Sequence, residues 1–216
     1  MSSLEELTYT PEEIIRSTVT EVREMNWENP QEVETYLQFL TDPVNCQHFT
    51  GLPATVEDFQ IACAKPGVHP LVAENMRGEI VGGMIIRDAE PQQNDHFIER
   101  VVVDSGFQDR GVGRQMLARG IDWAFANPAW DGRERIKLDI AVIMNVAGWE
   151  RMQHLVESLG FGNFWTLIEQ VDFTEEGQIV ERKKVIRSEL LRSRWNELRQ
   201  TNFMITPAGT TVPYNA

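Results

Sequence analysis

The sequence predicts one mixed α/β domain, and three features of the 216-residue chain support that prediction. An apolar, β-branched run at residues 97–104 is followed by a glycine-containing loop and then by helical periodicity. Two pairs of apolar runs are separated by short turns, which is typical of β-hairpins. The composition, 42% hydrophobic and 25% charged, is that of a globular chain large enough to bury a core.

Charge and composition restrict the partners. The formal net charge of −13 argues against a nucleic-acid partner and is compatible with a cationic acceptor, although acidity for solubility alone is the commoner explanation. We expect a cytoplasmic protein without a membrane partner, because the first residues lack a signal-peptide pattern and no apolar run approaches the roughly 20 residues needed to span a bilayer. The two cysteines and four histidines lack metal-ligand spacing, so we expect no metal.

The elements of the N-terminal half follow from capping and strand signals. Residues 1–16 form an acidic lead-in, with a short helix from Pro11. A first strand is expected at residues 17–24, where β-branched residues alternate with polar ones. Asn29 and Pro30 suit the start of a helix that ends near residue 42, and a capping box at 55–58 opens a second helix.

The later elements are dominated by hairpins. Residues 69–76 and 79–87 predict one hairpin, and Gly82 and Gly83 inside its second strand predict a bulge or a close approach of another backbone. The remaining predicted elements are a strand at 136–144, a helix at 147–159, a hairpin at 164–173 and 178–186, and a helix at 188–200 with Leu190, Leu191, Trp195 and Leu198 as its apolar positions.

The strand–loop–helix unit that begins at residue 97 is typical of phosphate-binding sites. Its helix has one apolar face, made by Val112, Met116, Leu117, Ile121, Ala124 and Phe125. A helix N-terminus offers unpaired backbone N–H groups and the positive end of the helix dipole. Gly111 and Gly113 would let a bulky anion approach this backbone. The loop matches neither the GxGxxG fingerprint of dinucleotide-binding folds nor the P-loop pattern.

The loop pattern Gln108-x-x-Gly111-x-Gly113 resembles the acyl-CoA loop of the GCN5-related N-acetyltransferase (GNAT) superfamily, Q/R-x-x-G-x-G/A. Asn145 at a strand end and Leu159-Gly160-Phe161 after the next helix are further matches. The resemblance implies an acyltransferase domain at residues 17–186, with 187–216 as a C-terminal helix and tail packed on the domain or on a neighbouring subunit. Within the superfamily, the N-terminal half looks most like the branch that acetylates ribosomal-protein N-termini.

The resemblance also implies a cofactor site. It predicts a mixed, mostly antiparallel sheet whose fourth and fifth strands splay apart around acetyl-CoA, the co-substrate. The main chain of Val101 and Val103 would pair with the pantetheine arm, and Asn145 would touch it. The pyrophosphate would lie on the segment Gln108, Asp109, Arg110, Gly111, Val112, Gly113 and Arg114. Two departures stand out: Val156 occupies the position of the usual acidic tyrosine, and the spacing from Asn145 to Gly160 is about four residues longer than the common pattern.

Amide formation needs a base for the attacking amine, and Glu99 is our candidate. In a regular strand it would face the same side as Phe97, Val101 and Val103, and apolar surroundings would suit a base that works near neutrality. The alternative is a structural ion pair, for instance with Arg87 or Lys137. Asp139 is a second candidate base, whereas His154 is expected on the surface. Trp123, Trp130, Trp149 and Trp165 could line an acceptor pocket or belong to the core.

The leading hypothesis is therefore an acetyl-CoA-dependent N-acetyltransferase that acts on a primary amine by direct attack. The alternative is a catalytically degenerate GNAT-fold module that binds CoA or regulates another protein, which the missing tyrosine motivates. The amine could be a small molecule or a peptide N-terminus, and the sequence leaves this open. A homodimer through the last hairpin or the terminal helix is compatible with the sequence.

Overall fold

A computed structural model describes residues 10–46, 53, 55–89, 96–144, 148–173, 179–200, 203–205 and 211–213. Most of the described chain folds around one seven-stranded sheet, and a separate two-stranded ribbon lies near the C-terminus. The elements are α1 (Pro11–Ser17), β1 (Val19–Glu24), α2 (Pro30–Thr41), α3 (Pro43–Cys46), α4 (Val56–Cys63), β2 (Val68–Asn75), β3 (Ile80–Arg87), β4 (His96–Val103), a 3₁₀ turn (Ser105–Phe107), α5 (Val112–Ala126), β5 (Lys137–Ile143), α6 (Trp149–Ser158), β6 (Gly162–Phe173), β7 (Ile179–Leu191), α7 (Arg192–Gln200), β8 (Phe203–Ile205) and β9 (Thr211–Pro213).

The order of strands in the large sheet is β1-β2-β3-β4-β5-β7-β6. Every neighbouring pair is antiparallel except β4 and β5, which run parallel. These two strands are paired only through His96–Leu138, Phe97–Asp139 and Ile98–Ile140, although both continue further. The predicted mixed, mostly antiparallel sheet is therefore confirmed, and it opens between its fourth and fifth strands.

Helices cover the sheet on two faces, and each face has its own apolar core. The α5 face is packed by α5 and α6, and all six residues predicted for the apolar stripe of α5 are buried there. The α2 face is packed by α2 and α4, with Tyr36 and Phe59 fully buried over β2 and β3. Thr10 and Glu13 form a capping box at α1, and the side chain of Thr55 accepts from the Asp58 amide at α4.

The glycine pair in β3 permits two close approaches. A Cβ atom on Gly83 would lie 2.4 Å from Cε2 of Tyr36, and one on Gly82 would lie 2.5 Å from the Val102 carbonyl oxygen. Pairing of β3 with β4 also shifts register just beyond Gly83. The prediction that these glycines mark a bulge or a close backbone approach is confirmed.

The largest difference from the predicted elements is at the C-terminal hairpin. Strand β7 continues to Leu191, where its partner is Lys137 of β5, so the helix expected from residue 188 begins only at Arg192. Pairing with β5 satisfies the backbone hydrogen bonds of residues 188–191. These residues therefore form a strand although their apolar spacing is that of a helix. Leu190 is buried in the α5-face core, whereas Leu191 is exposed. Ile136, predicted inside β5, precedes that strand and is exposed.

The C-terminal helix packs on the sheet domain. Trp195 of α7 is buried in the α5-face core, and its indole Nε1 donates to Oδ1 of Asp122 on α5 at 2.8 Å. The ring of Trp195 thus fastens α7 to α5. Within the described residues, no helix is long and apolar enough to cross a membrane.

Candidate active site

The candidate site is built around the cleft between β4 and β5. The Asp104 amide donates to the Val81 carbonyl at 3.0 Å, which makes Val103 and Gly82 a non-hydrogen-bonded pair. The N–H and C=O of Val103 therefore point away from β3, towards the cleft. This is the orientation that pairing with an extended ligand arm requires.

A bulge in β4 changes which side chains face which side of the sheet. Between Val102 and Glu99 the strand advances three residues while its partner β3 advances two, from Gly83 to Ile85. Arg100, in the bulge, has a φ of 50°, which is unusual for a residue other than glycine. Val101 and Val103 consequently pack against the α5-face core, whereas Glu99 lies on the α2 face. The prediction that Glu99 shares a face with these valines is wrong, because the extra residue inverts the alternation.

The loop after β4 presents the N-terminus of α5 beside the cleft. Gly111, the residue before α5, has a φ of 77°, and its carbonyl accepts the first helical hydrogen bond from the Gln115 amide at 3.2 Å. The amides of Val112 and Gly113 precede that bond, so they have no intrahelical acceptor. A Cβ atom on Gly113 would lie 3.5 Å from Cγ2 of Val103, so this turn of backbone lies against the end of β4. This arrangement suits an anion next to the cleft.

The charged side chains of the loop are engaged with other elements. Asp109, with a φ of 58°, accepts from Arg151 of α6 at 2.9 Å, and Arg110 lies 4.0 Å from Glu13 of α1. Arg114 donates to the Ser158 carbonyl at the end of α6 at 3.3 Å, and burial lowers its pKa. The loop is therefore tied to helices on either side, and the amides of α5 remain its clearest anion-binding groups.

Sequence reasoning missed Asn45. This residue of α3 is buried, and its Nδ2 donates to the carbonyl oxygens of Phe39 at 3.0 Å and Val103 at 3.2 Å. Its Oδ1 accepts from Nε2 of Gln108 at 2.9 Å, and Gln108 also lies 3.3 Å from the Val103 carbonyl oxygen. Asn45 thus joins the end of β4 to the first residue of the predicted phosphate loop. Because Val103 and Gln108 are 58 and 63 residues away in the sequence, no local pattern points to this role of Asn45.

Glu99 is held by Arg87 on the neighbouring strand. Arg87 donates through Nε at 3.0 Å and Nη2 at 2.8 Å to the same carboxylate oxygen, Oε2. The Glu99 side chain is 33% exposed, so the expected apolar surroundings are wrong and the ion pair with Arg87 is present. Lys137, the other suggested partner, contacts Asp139 and Glu189 instead. Within the described residues, the hydrogen bonds to Glu99 reach Oε2.

Of the other residues predicted for the site, some lie near the cleft and others lie elsewhere in the protein. Trp165 pairs with Arg187 across β6 and β7, on the sheet face that bears Glu99, whereas Trp123 packs on His69 and Arg135 at the far end of β2. His154 is exposed, as predicted. Val156 is fully buried in the α5-face core. Asn145 lies outside the described residues.

Tyr36 comes closer to β4 than its sequence position suggests. Its hydroxyl donates to the carbonyl oxygen of Arg100, in the bulge, at 3.2 Å. The side chain is fully buried, and this burial raises the pKa of Tyr36. A buried phenol bonded to main chain supports the bulge but is not placed to protonate a leaving group in the cleft.

The cleft and the helix N-terminus beside it suit the two parts of acetyl-CoA that a protein must hold. No group of three or more His, Cys, Asp or Glu side chains in the described ranges could hold a metal ion. By contrast, the cleft offers strand main chain for an extended arm and a glycine-containing helix N-terminus for a pyrophosphate. Acetyl-CoA has both parts, an extended pantetheine arm and a pyrophosphate.

Comparisons with known proteins agree with this geometry. The model of a family described as the acetyltransferase (GNAT) family matches residues 22–161. A spermidine N-acetyltransferase from Vibrio cholerae, solved with CoA and spermine, superimposes with a TM-score of 0.60 at 16% identity, covering 83% of this chain and 99% of that one. A GCN5-related N-acetyltransferase from Kribbella flavida gives a TM-score of 0.56 at 21% identity, covering 79% and 97%. At these identities the structural matches show the fold alone. A sequence search of curated proteins found no match, and the ribosomal-protein branch remains a prediction.

Proposed function

We propose that this protein, which belongs to the acetyltransferase (GNAT) family, transfers the acetyl group of acetyl-CoA to a primary amine by direct attack of the amine on the thioester. The observation that carries the proposal is the divergence of β4 from β5 beside the N-terminus of α5. The cleft can hold an extended acyl-pantetheine arm, and the helix N-terminus can hold the pyrophosphate. Family membership supports an enzyme over a degenerate module.

Acetyl-CoA would enter from the α5 face. Its pyrophosphate would accept hydrogen bonds from the amides of Val112 and Gly113, and its pantetheine amides would pair with main-chain groups of Val101 and Val103 that border the cleft. Asn45 and Gln108 would hold the Val103 carbonyl group in place at the end of β4 that borders the cleft. The thioester would then lie near the bulge at Arg100, where the cleft narrows towards the paired part of β4 and β5.

The amine would approach from the α2 face, which bears Glu99. An alkyl amine is mostly protonated at neutral pH, so its ammonium must first lose a proton to solvent. The nitrogen lone pair then forms the N–C bond to the acetyl carbonyl carbon. Glu99, through Oε1 or a water, takes the second nitrogen proton as the C–S bond breaks. CoA leaves as a thiolate, which is protonated by Glu99 or by water, since a thiol of pKa about 8.5 needs no strong acid. Arg87 is the positioning residue that holds the Glu99 carboxylate.

The test is turnover and binding of the Glu99→Gln variant. We expect kcat to fall by about 100-fold to 10,000-fold, since that is the usual contribution of a positioned base, while the dissociation constant for acetyl-CoA stays unchanged. Glu21→Gln on the edge strand β1, where the side chain is exposed, is the matched control and should behave as wild type. A kcat of Glu99→Gln within about threefold of wild type would rule out the base role. Binding of acetyl-CoA by wild type without turnover of any amine would favour the degenerate module.

A further inference from the structure

A set of polar side chains lies at the closed end of the cleft, opposite the end that would receive the pyrophosphate. We call it the His69 cluster, and its members are His69, Asp88, His96 and Arg135. The side chains of Asp88 and Arg135 are fully buried, and His96 is buried beside them. The proposed mechanism uses none of these residues. Because replacing a buried ion pair by apolar side chains is often neutral or stabilising, packing alone does not account for this cluster.

Asp88 joins the two strands that form the cleft. His96 is the first residue of β4, and Arg135 lies two residues before β5. One carboxylate oxygen of Asp88, Oδ1, lies 3.0 Å from Nδ1 of His96 and accepts from Nε of Arg135 at 2.6 Å. The first of the three residue pairs between β4 and β5 is His96 with Leu138, so this bridge lies at the closed end of the ladder. Parallel pairing is slightly weaker per residue than antiparallel pairing, and a ladder this short gains from a side-chain bridge.

Arg135 also holds the C-terminal end of α5. Its Nη1 donates to the carbonyl oxygens of Ala124 at 3.1 Å and Asn127 at 2.8 Å. Cations are favourable at this end of a helix, where carbonyl groups have no intrahelical donor and the dipole is negative. A second arginine, Arg192, donates to the Phe125 carbonyl at 2.6 Å from a partly exposed side chain. The buried guanidinium of Arg135 therefore connects the end of α5 to the closed end of the cleft.

The helix α5 runs from the open end of the cleft to the closed end. Its first turn lies against β4, where a Cβ atom on Gly113 would be 3.5 Å from Cγ2 of Val103, and its last turn meets Arg135. A helix of 15 residues is about 22 Å long, so a tilt of about 5° at its C-terminal end moves its N-terminus by roughly 2 Å. An N–H···O hydrogen bond tolerates a range of only about 0.5 Å in distance. A small rotation at the His69 cluster would thus take the amides of Val112 and Gly113 out of reach of a phosphate.

We propose that Asp88 and Arg135 are positioning residues for acetyl-CoA, which fix the angle between α5 and the cleft and so place the N-terminus of α5 at the pyrophosphate. This inference rests on the proposed function, because it concerns the same cofactor site. Asp88 holds the guanidinium of Arg135, and Arg135 holds the end of the helix. Loss of the Asp88 charge leaves Arg135 buried without its counter-charge, so the guanidinium moves towards water and no longer constrains α5.

The test is calorimetric titration with acetyl-CoA in the cold, below the Tm of each variant, with folding checked by near-ultraviolet circular dichroism. For Asp88→Asn we expect a dissociation constant at least about tenfold above that of wild type, which corresponds to the loss of one hydrogen bond to a phosphate. Arg135→Lys keeps a charge opposite Asp88, but its compact ammonium group cannot span Asp88 and the α5 carbonyls together, so its affinity should also fall. This second variant decides the question if Asp88→Asn does not fold.

The matched control is Glu32→Gln, which removes another buried carboxylate. Glu32 of α2 accepts from Arg23 of β1, the strand at the far edge of the sheet, at 2.9 and 3.1 Å. This variant should lower Tm and leave the affinity for acetyl-CoA unchanged. A dissociation constant within about threefold of wild type in folded Asp88→Asn or folded Arg135→Lys would overturn the inference, and so would an equal loss of affinity in Glu32→Gln. Absence of binding by wild type would instead overturn the cofactor site of the proposed function and the inference with it.

Discussion

Replacing Asp88 with asparagine should destabilise the protein by about 3–5 kcal/mol, because it leaves a buried arginine without its counter-charge. Asp88 follows β3, and its side chain and that of Arg135 are fully buried. Arg135 donates to the two carboxylate oxygens at 2.6 and 3.0 Å. His96 Nδ1 and His69 Nε2 each lie 3.0 Å from the carboxylate, and the Trp130 amide donates at 2.9 Å.

The magnitude follows from this set of contacts. Asparagine keeps the shape of Asp88 but removes the negative charge and turns one acceptor into a donor that faces Arg135. Breaking a buried ion pair on one side costs about 3–5 kcal/mol, since the remaining charge cannot reach water. For a chain of this size, each kcal/mol lowers Tm by about 2–4 °C, so Tm should fall by roughly 6–20 °C.

The sign of the pH dependence is fixed by the pKa of Asp88. Burial alone would raise this pKa, but hydrogen bonds from His69, His96 and Arg135 outweigh burial and hold it well below its usual range. A lowered pKa stabilises the folded state above the unfolded value of about 3.9, and that stabilisation is lost as pH falls below it. The difference between wild type and Asp88→Asn should therefore be full at neutral pH and shrink in acid.

The assay is urea unfolding at neutral pH, with thermal unfolding alongside. Asp131→Asn, in the α5–β5 loop that also contains Arg135, is the matched control, because Asp131 pairs with the half-exposed Arg133 and should contribute little. The double variant Asp88→Asn with Arg135→Met should lose less than the sum of the single variants, because no charge is then left unpaired. A loss below about 1 kcal/mol in Asp88→Asn would refute the reasoning, since it would mean that Arg135 needs no counter-charge.

Three further predictions concern residues around the cleft and the His69 cluster. Asn45→Ala removes the 3.2 Å hydrogen bond to the Val103 carbonyl and should raise the KM for acetyl-CoA by about 5- to 100-fold with little change in kcat; an unchanged KM would contradict its positioning role. Tyr36→Phe removes the donor to Arg100 and should cost about 1 kcal/mol in unfolding free energy, with kcat within about threefold of wild type; a much larger fall in kcat would make Tyr36 the acid. The pKa of His69 is raised, chiefly by its hydrogen bond to the Asp88 carboxylate, so its stabilisation should be full below about pH 6.5 and decline as pH rises through the higher folded pKa. Unfolding free energies of wild type and His69→Gln, compared across neutral and alkaline pH, check this, and a constant difference would contradict it.

The sequence could predict those parts of the fold that are determined by residues close to one another in the sequence. The strand–loop–helix unit and the β2–β3 hairpin follow from periodicity and glycine positions, and both lie where they were expected. The glycine at 111 takes the positive φ that its place before α5 suggests.

The bulge in β4 could not be predicted in the same way. Nothing in Glu99-Arg100-Val101 marks an extra residue, and Arg100 is not a residue type that favours a positive φ. Its conformation is fixed by distant contacts, such as the Tyr36 hydroxyl on its carbonyl. One unpredicted residue was enough to move Glu99 to the opposite face from Val101 and Val103.

The C-terminal boundary of β7 was missed for a related reason. Residues 188–191 have a helix-like spacing of leucines, but β5 offers them a partner through Leu191 and Lys137. Tertiary pairing decides the outcome where local preference is weak. Asn45 likewise acts through partners on other elements, so its place near the site becomes visible only in three dimensions.

The central claim, that the N-terminus of α5 binds the pyrophosphate of acetyl-CoA, is tested most directly by calorimetric titration of wild type, Gly113→Ala and Gly113→Asp with acetyl-CoA. Gly113 has ordinary space for a Cβ atom, 3.5 Å from Val103, so both variants should fold. We predict one-to-one binding by wild type and Gly113→Ala, and an affinity at least about tenfold weaker for Gly113→Asp, whose carboxylate would repel the phosphates. Equal affinities of wild type and Gly113→Asp, or no binding by any of the three, would contradict the assignment.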